Sequence, residues 1–252
     1  MMMTKRLFAL LSPMMLLVFY GCTNVGDCLT TTGTIVQEEL QVAPFDRILV
    51  NEDVEMIVSQ GDAYKVVVET GENLIGDFSA EVVEGKLILT MGNTCELIRP
   101  HNITKVYVTA PDLKEIVSST QFKISSDGVL NYERLKISSF TFSDDRWIVN
   151  GEFDLNVNVG ELNVLGNEMA NFEIKGKADV LKVRLNDGSV RLYAPELTVR
   201  AAEVLHRSTL NITINPTESV TGELLSTGDL ILVNTPPVID VVQKYKGQVI
   251  TN

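Results

Sequence analysis

The chain has 252 residues and carries 21 Lys and Arg against 33 Asp and Glu, a formal net charge of −12 at pH 7. That excess of negative charge repels phosphate backbones and anionic head groups, which argues against nucleic acid as a partner and against membrane attachment by charge. The length suffices for one large β domain or two smaller ones, with a core that needs no metal or disulfide to hold it.

Residues 1–21 read as a signal peptide. Lys5 and Arg6 precede a 14-residue apolar stretch, Leu7 to Tyr20, interrupted only by Ser12 and Pro13. A spanning helix needs roughly 20 residues, so the stretch is expected to be cleaved rather than to anchor the chain. The Gly21-Cys22 pair resembles the lipobox of bacterial lipoproteins, in which Cys22 becomes the acylated first residue. Phe19 and Tyr20 replace the usual Leu and small residue, which leaves ordinary cleavage, with Cys22 as a simple thiol, as the alternative. Two or three acyl chains hold a protein stably at a membrane where one does not. The expected location is therefore the envelope, as an outer-membrane lipoprotein on either its periplasmic or its surface face. Thr23 stands where an Asp would signal inner-membrane retention. Loss of Lys5 and Arg6 leaves 19 basic against 33 acidic residues, a charge of −14.

Residues 22–34 are small and polar, the composition of a lipid-proximal tether. Cys28 and Cys95 form a possible disulfide in an oxidising compartment; the alternative is two unrelated thiols. From residue 35 to 111 alternating apolar and polar positions, as in Phe45 to Gln60, Lys65 to Glu69, Lys86 to Thr90 and Lys105 to Thr109, predict short antiparallel strands. Turn chemistry at Gly61-Asp62, Glu84-Gly85 and Ala110-Pro111-Asp112 separates them. Asn73 to Phe78 suits a single helical turn.

From residue 112 to 234 the alternation becomes quasi-periodic. Phe153, Leu155, Val157 and Val159 share one face, as do Leu181, Val183 and Leu185, then Leu197, Val199 and Ala201, then Leu210, Ile212 and Ile214. No helical periodicity of ten or more residues follows the signal, so crossover helices are excluded. Short strands with polar turns leave a sandwich, a barrel or a β-solenoid. Closely spaced turn residues Gly151, Gly160, Gly166, Gly176 and Gly188 favour the solenoid, with a β-sandwich as the alternative. The strand Asp229 to Asn234 is apolar on both sides and should be buried on both, with residues 235–252 as a cap over it.

The segments "FDRILVNEDVEMIVSQG", "VVEGKLILT", "VYVTAPDLKEIVSS", "IKGKADVLKVRLNDGSVRLYAPELTVRA" and "STGDLILVNTPPVI", in that order, resemble the putative auto-transporter adhesin, head GIN domain family of Bacteroides-type lipoproteins. The likeness runs from about Phe45 to Ile250. The family's Gly-Ser-Gly turns are degraded here to Ser126-Asp127-Gly128, Asn186-Asp187-Gly188-Ser189 and Thr227-Gly228-Asp229. The resemblance implies a right-handed parallel β-helix similar to pectin-lyase folds, no catalytic residues, and a role in adhesion.

A glycosidase or lyase on such a scaffold needs converging carboxylates, for which the candidates are Asp144, Asp145, Asp154, Glu173 and Asp187. The adjacent Asp144 and Asp145 would diverge in a strand, and Asp187 sits in a turn. His101 and His206 stand far apart with no Cys near either, so no metal site, nucleophile or cofactor is expected, and both are read as surface residues. Between Phe172 and Leu210 seven cations stand against five carboxylates, and Lys182, Arg184, Arg191, Tyr193 and Arg200 alternate with buried positions. These five are the candidate ligand-binding residues, with an acidic glycan as the expected ligand; the alternative is a solvated face. The expected function is a lipid-tethered, non-catalytic adhesin-like module. The alternatives are a polysaccharide-active enzyme and a structural envelope protein.

Overall fold

Period-two alternation becomes β-strand over most of the residues that the computed structural model describes, 29–92, 100, 103–139 and 150–251. Cys22, Cys28, Cys95, His101, Asp144 and Asp145 lie outside the described residues. In chain order the strands are β1 (Ile35–Leu40), β2 (Arg47–Val50), β3 (Val54–Gln60), β4 (Lys65–Gly71), β5 (Phe78–Val83), β6 (Lys86–Met91), β7 (Thr104–Ala110), β8 (Glu115–Ser118) and β9 (Lys123–Ser126). Then follow β10 (Leu130–Ser139), β11 (Glu152–Gly166), β12 (Asn171–Leu185), β13 (Arg191–His206), β14 (Ile212–Leu224), β15 (Leu230–Leu232), β16 (Val238–Gln243) and β17 (Val249–Thr251). All seventeen belong to one sheet. The protein is all-β: the one helical element among the described residues is a 3-10 turn at Ile75–Asp77, inside the segment expected to make one.

From β10 onward every pairing is parallel, and each strand repeats the previous one at nearly constant spacing. Phe153 stands beside Phe172, Phe172 beside Leu192, Leu192 beside Ile212, Ile212 beside Leu230 and Leu230 beside Val249, steps of 18 to 20 residues. A second row runs Leu162, Leu181, Ala202, Val220 and Ile239. One long strand therefore contributes first to one strip of sheet and then, past a bend, to another. The inward rows make the core. Phe153 and Phe172, both fully buried, stack at 5.0 Å between ring centroids and 12° between planes. Repeats packed this closely leave no room at the bends: at Gly176 (φ +110°) a Cβ would lie 2.0 Å from the Val157 carbonyl oxygen of the preceding repeat.

Three expectations change. The N-terminal part is not simply antiparallel. β4 pairs antiparallel with β1 and β7, and β5 with β6, but β2 pairs parallel with β6 and β8, and β3 with β7 and β9. The stack thus reaches back to Arg47, because the inward Ile48, Val50, Met56 and Val58 continue the later rows. Second, β15 is buried on one side only: Leu230 and Leu232 are inside, while Ile231 is half-buried and Val233 exposed. The C-terminal segment continues the stack, β16 pairing with β14 and β17 with β15, both in parallel register. Third, His206 is fully buried rather than at the surface, since Ala202, Val204 and His206 share the inward phase of β13 and the imidazole stacks between Leu185 and Leu224.

Candidate functional site

The outward rows decide what the surface can bind. On the first strip Asp154, Glu173 and Tyr193 are consecutive register partners, so two carboxylates and a phenol ring stand on adjacent strands, about 4.8 Å apart by strand spacing. Beside them Arg191 reaches down the stack. Its guanidinium donates to Asn171 Oδ1 at 2.8 Å and Glu173 Oε1 at 2.7 Å, and lies 5.6 Å from the Tyr193 ring centroid. These contacts hold the guanidinium against the phenol, whose side chain is still 47% exposed.

The register between β12, β13 and β14 breaks at this place. Tyr193 pairs with Glu173 and Leu197 with Gly176, while Ala194 and Thr198 pair with the consecutive Ile214 and Asn215. The extra residues of β13 bulge outward at Pro195 and Glu196. A proline cannot donate to a ladder, so within a sheet it belongs at such a bulge. The bulge raises a wall beside Tyr193 and encloses a cleft of about 250 Å³, lined by Asp154, Glu173, Lys175, Tyr193, Pro195 and Glu196. A neighbouring, more open depression of about 440 Å³ lies along the bend between the strips, with Lys177, Asp179, Thr198, Arg200, Thr217 and Glu218 on its walls.

The five residues singled out from the sequence are not brought to one place. Arg191 and Tyr193 share the first strip; Arg200 stands at the bend, 3.2 Å from Glu218; Lys182 and Arg184 are on the other strip. No cation of this group stacks on another. Lys182 has Asn163 and Glu203 as register partners, and Arg184 has Leu165 and Leu205. Lys182 donates to Glu161 at 2.8 Å, and this bond, with a second from Asn163, holds the Glu161 carboxyl below its ordinary range. Arg184 is the one of the four cations without an ion pair among the described residues. Asp187 accepts from the Glu168 backbone N–H at 2.9 Å and so fastens a turn.

The wall at Pro195 and Glu196 was not expected from the sequence. Pro195 in an otherwise regular strand pattern was the signal available, because proline there predicts a bulge. Among the described residues no group of three His, Cys, Asp or Glu is placed to hold a metal ion, and no helix is long and apolar enough to cross a membrane.

The sequence pattern of the family described as putative auto-transporter adhesin, head GIN domain matches residues 44–236. The chain belongs to that family. Among curated proteins none matches it. Solved structures with a similar fold include a putative adhesin from Bacteroides fragilis NCTC 9343, at TM-score 0.78 and 17% identity, over 88% of this chain and 100% of that one. A putative lipid binding protein from Parabacteroides distasonis ATCC 8503 matches at TM-score 0.61 and 15% identity, over 88% and 99%. A putative adhesin from Parabacteroides merdae ATCC 43184 matches at TM-score 0.55 and 16% identity, over 88% and 98%. At these identities the likeness concerns the fold. Membership of an adhesin family points the GIN-domain chain to the cell surface or envelope.

Proposed function

We propose that this GIN-domain protein is a lipid-anchored envelope module, wound as a right-handed parallel β-helix, that holds a surface glycan at the Tyr193 cleft without turning it over. Parallel pairing at steps of 18 to 20 residues supports the winding, and parallel crossovers are right-handed in about 98% of cases. The Gly21-Cys22 junction supports the anchor. Mass spectrometry of the mature N-terminus should find acyl chains on Cys22; an unmodified thiol there would remove the anchor from the account.

The observation that carries the binding function is the bulge-walled cleft with a half-exposed phenol at its floor. Small ligands are held by an apolar or aromatic surface with a few placed polar groups. Here Tyr193 offers the flat face, and Asp154, Glu173 and Glu196 offer acceptors for sugar hydroxyls. With Lys175 and Arg191 as the cations, the cleft is more acidic than basic, which suits neutral or amino sugars better than the acidic glycans suggested by the cation count. A glycan array read with the wild-type protein, Tyr193→Ala and Arg184→Ser separates these. Expected are neutral or amino-sugar hits that weaken roughly tenfold in Tyr193→Ala, an anchor-scale loss, and persist in Arg184→Ser. Acidic-glycan hits lost in Arg184→Ser and retained in Tyr193→Ala would overturn the assignment.

One observation favours the enzymatic alternative enough to test it: Asp154 and Glu173 line the same cleft on adjacent strands, and glycosidases use a pair of carboxyl groups flanking the scissile bond. The array hits incubated with the protein should stay intact; sugars released by the wild type and not by Glu173→Gln would replace holding with hydrolysis.

A further inference from the structure

The last repeat of the stack ends in an open edge. β16 pairs with β14 and β17 with β15, and among the described residues neither has a partner on its other side. At the opposite end the stack is crossed by antiparallel strands, β4 over β7 and β5 over β6. Exposed edges are ordinarily blunted by charge, proline or a bulge. This one mixes exposed apolar residues with charge: Val238 is 50% exposed, Ile239 40%, Val242 46% and Tyr245 61%, with Asp240 and Lys244 among them.

The edge is also complementary to itself. Laid antiparallel against a second copy with Val242 on the two-fold axis, β16 brings Val242 against Val242, Val241 against Gln243 and Asp240 against Lys244, the residue that follows the strand. Ile239 then faces Tyr245 just beyond. Each opposite-charge pair occurs twice by symmetry, and opposite charges directly across an antiparallel pair are favourable. Asp240 has no ion pair among the described residues, and Lys244 has only a long contact of 3.9 Å to Glu223 within its own chain. Shifting the register by one residue in either direction loses both charge pairs.

We infer that two copies of this protein join tail to tail through antiparallel pairing of β16 about Val242, which continues the sheet from one molecule into the other. The interface is isologous, so it closes at two copies and leaves the Tyr193 cleft, on a different strip, open on both.

Residues directly opposite in an antiparallel pair have Cα atoms 4.5 to 5.5 Å apart, within the range a disulfide spans. Full-length Val242→Cys, expressed in its membrane and oxidised, should therefore yield a cross-linked species at twice the mass. Val129→Cys, equally exposed but far along the stack, and the unaltered chain with its native cysteines should not. Asp240→Lys in the Val242→Cys background should cut the cross-linked fraction at least fivefold, and Asp240→Lys with Lys244→Asp should restore it by exchanging the charges. A Val242→Cys chain that stays monomeric, or that cross-links to a different mass, overturns the inference. So does a double exchange that fails to restore a yield lost in Asp240→Lys while the protein remains folded.

Discussion

His206 is the residue with the clearest physical consequence. It is fully buried and neither ring nitrogen has a hydrogen-bond partner in good geometry. Burial pushes its pKa down to about 4, against smaller opposing pulls from Asp229 and the Leu210 backbone. An unfolded chain binds the proton near 6.5, so the folded state is at full stability above that value and loses stability as pH falls from 6.5 toward 4. The loss attributable to this one group is bounded at roughly 3 kcal/mol by the width of that window. Thermal unfolding at pH 7.5 and 4.5 should show a larger drop for the wild type than for His206→Leu, whose side chain would match Leu185 and Leu224 above and below it. Equal drops would mean that the imidazole finds a partner when charged. The expected inward row Leu197, Val199 and Ala201 puts His206 outside; the register shifts between Val199 and Ala201, so Ala201 is only half-buried and Ala202, Val204 and His206 take the inner face.

At the scale of elements, stacked repeats make each inward residue a contact for the strands on both sides. Phe172 lies between Phe153 and Leu192. Replacing it by Ala should cost about 3 to 5 kcal/mol, the usual penalty for a large core truncation, measured as a shift in the denaturant midpoint; a loss under about 1 kcal/mol would mean that the two rows close over the gap. Most inward rows were readable in advance because strand periodicity is local, and Phe153, Leu155, Val157 and Val159 proved to be core, but Leu210, expected inside with Ile212 and Ile214, is exposed because β14 begins only at Ile212. Pairing direction in the N-terminal part was not readable. Short alternating strands look the same whether the neighbour runs parallel or antiparallel, and β2 and β3 take parallel neighbours more than 35 residues away. The bulge at Pro195 and Glu196 was hidden for a related reason: a two-residue irregularity leaves the alternation on either side intact, and only the neighbouring strands reveal the shift in register.

At the scale of the molecule, the outward surface is laced with exposed ion pairs, Lys136 with Glu115, Lys182 with Glu161 and Arg191 with Glu173. Each is worth about 0 to 1 kcal/mol at most, so they order side chains more than they stabilise the fold. Ordering is what a binding face needs. Arg191, pinned by Glu173 and Asn171, keeps Tyr193 in place beside the cleft, while Lys182, Arg184 and Arg200 stand elsewhere on the surface. The family and the all-β class were legible from the order of short alternating segments. The location of the cleft was not, because cations counted along the sequence fall on different strips once the chain bends. A crystal structure of the protein with a glycan selected on the array tests the central claim most directly. The account predicts a sugar ring over Tyr193 with hydroxyls on Asp154, Glu173 or Glu196; a glycan bound around Arg184, with the Tyr193 cleft empty, would contradict it.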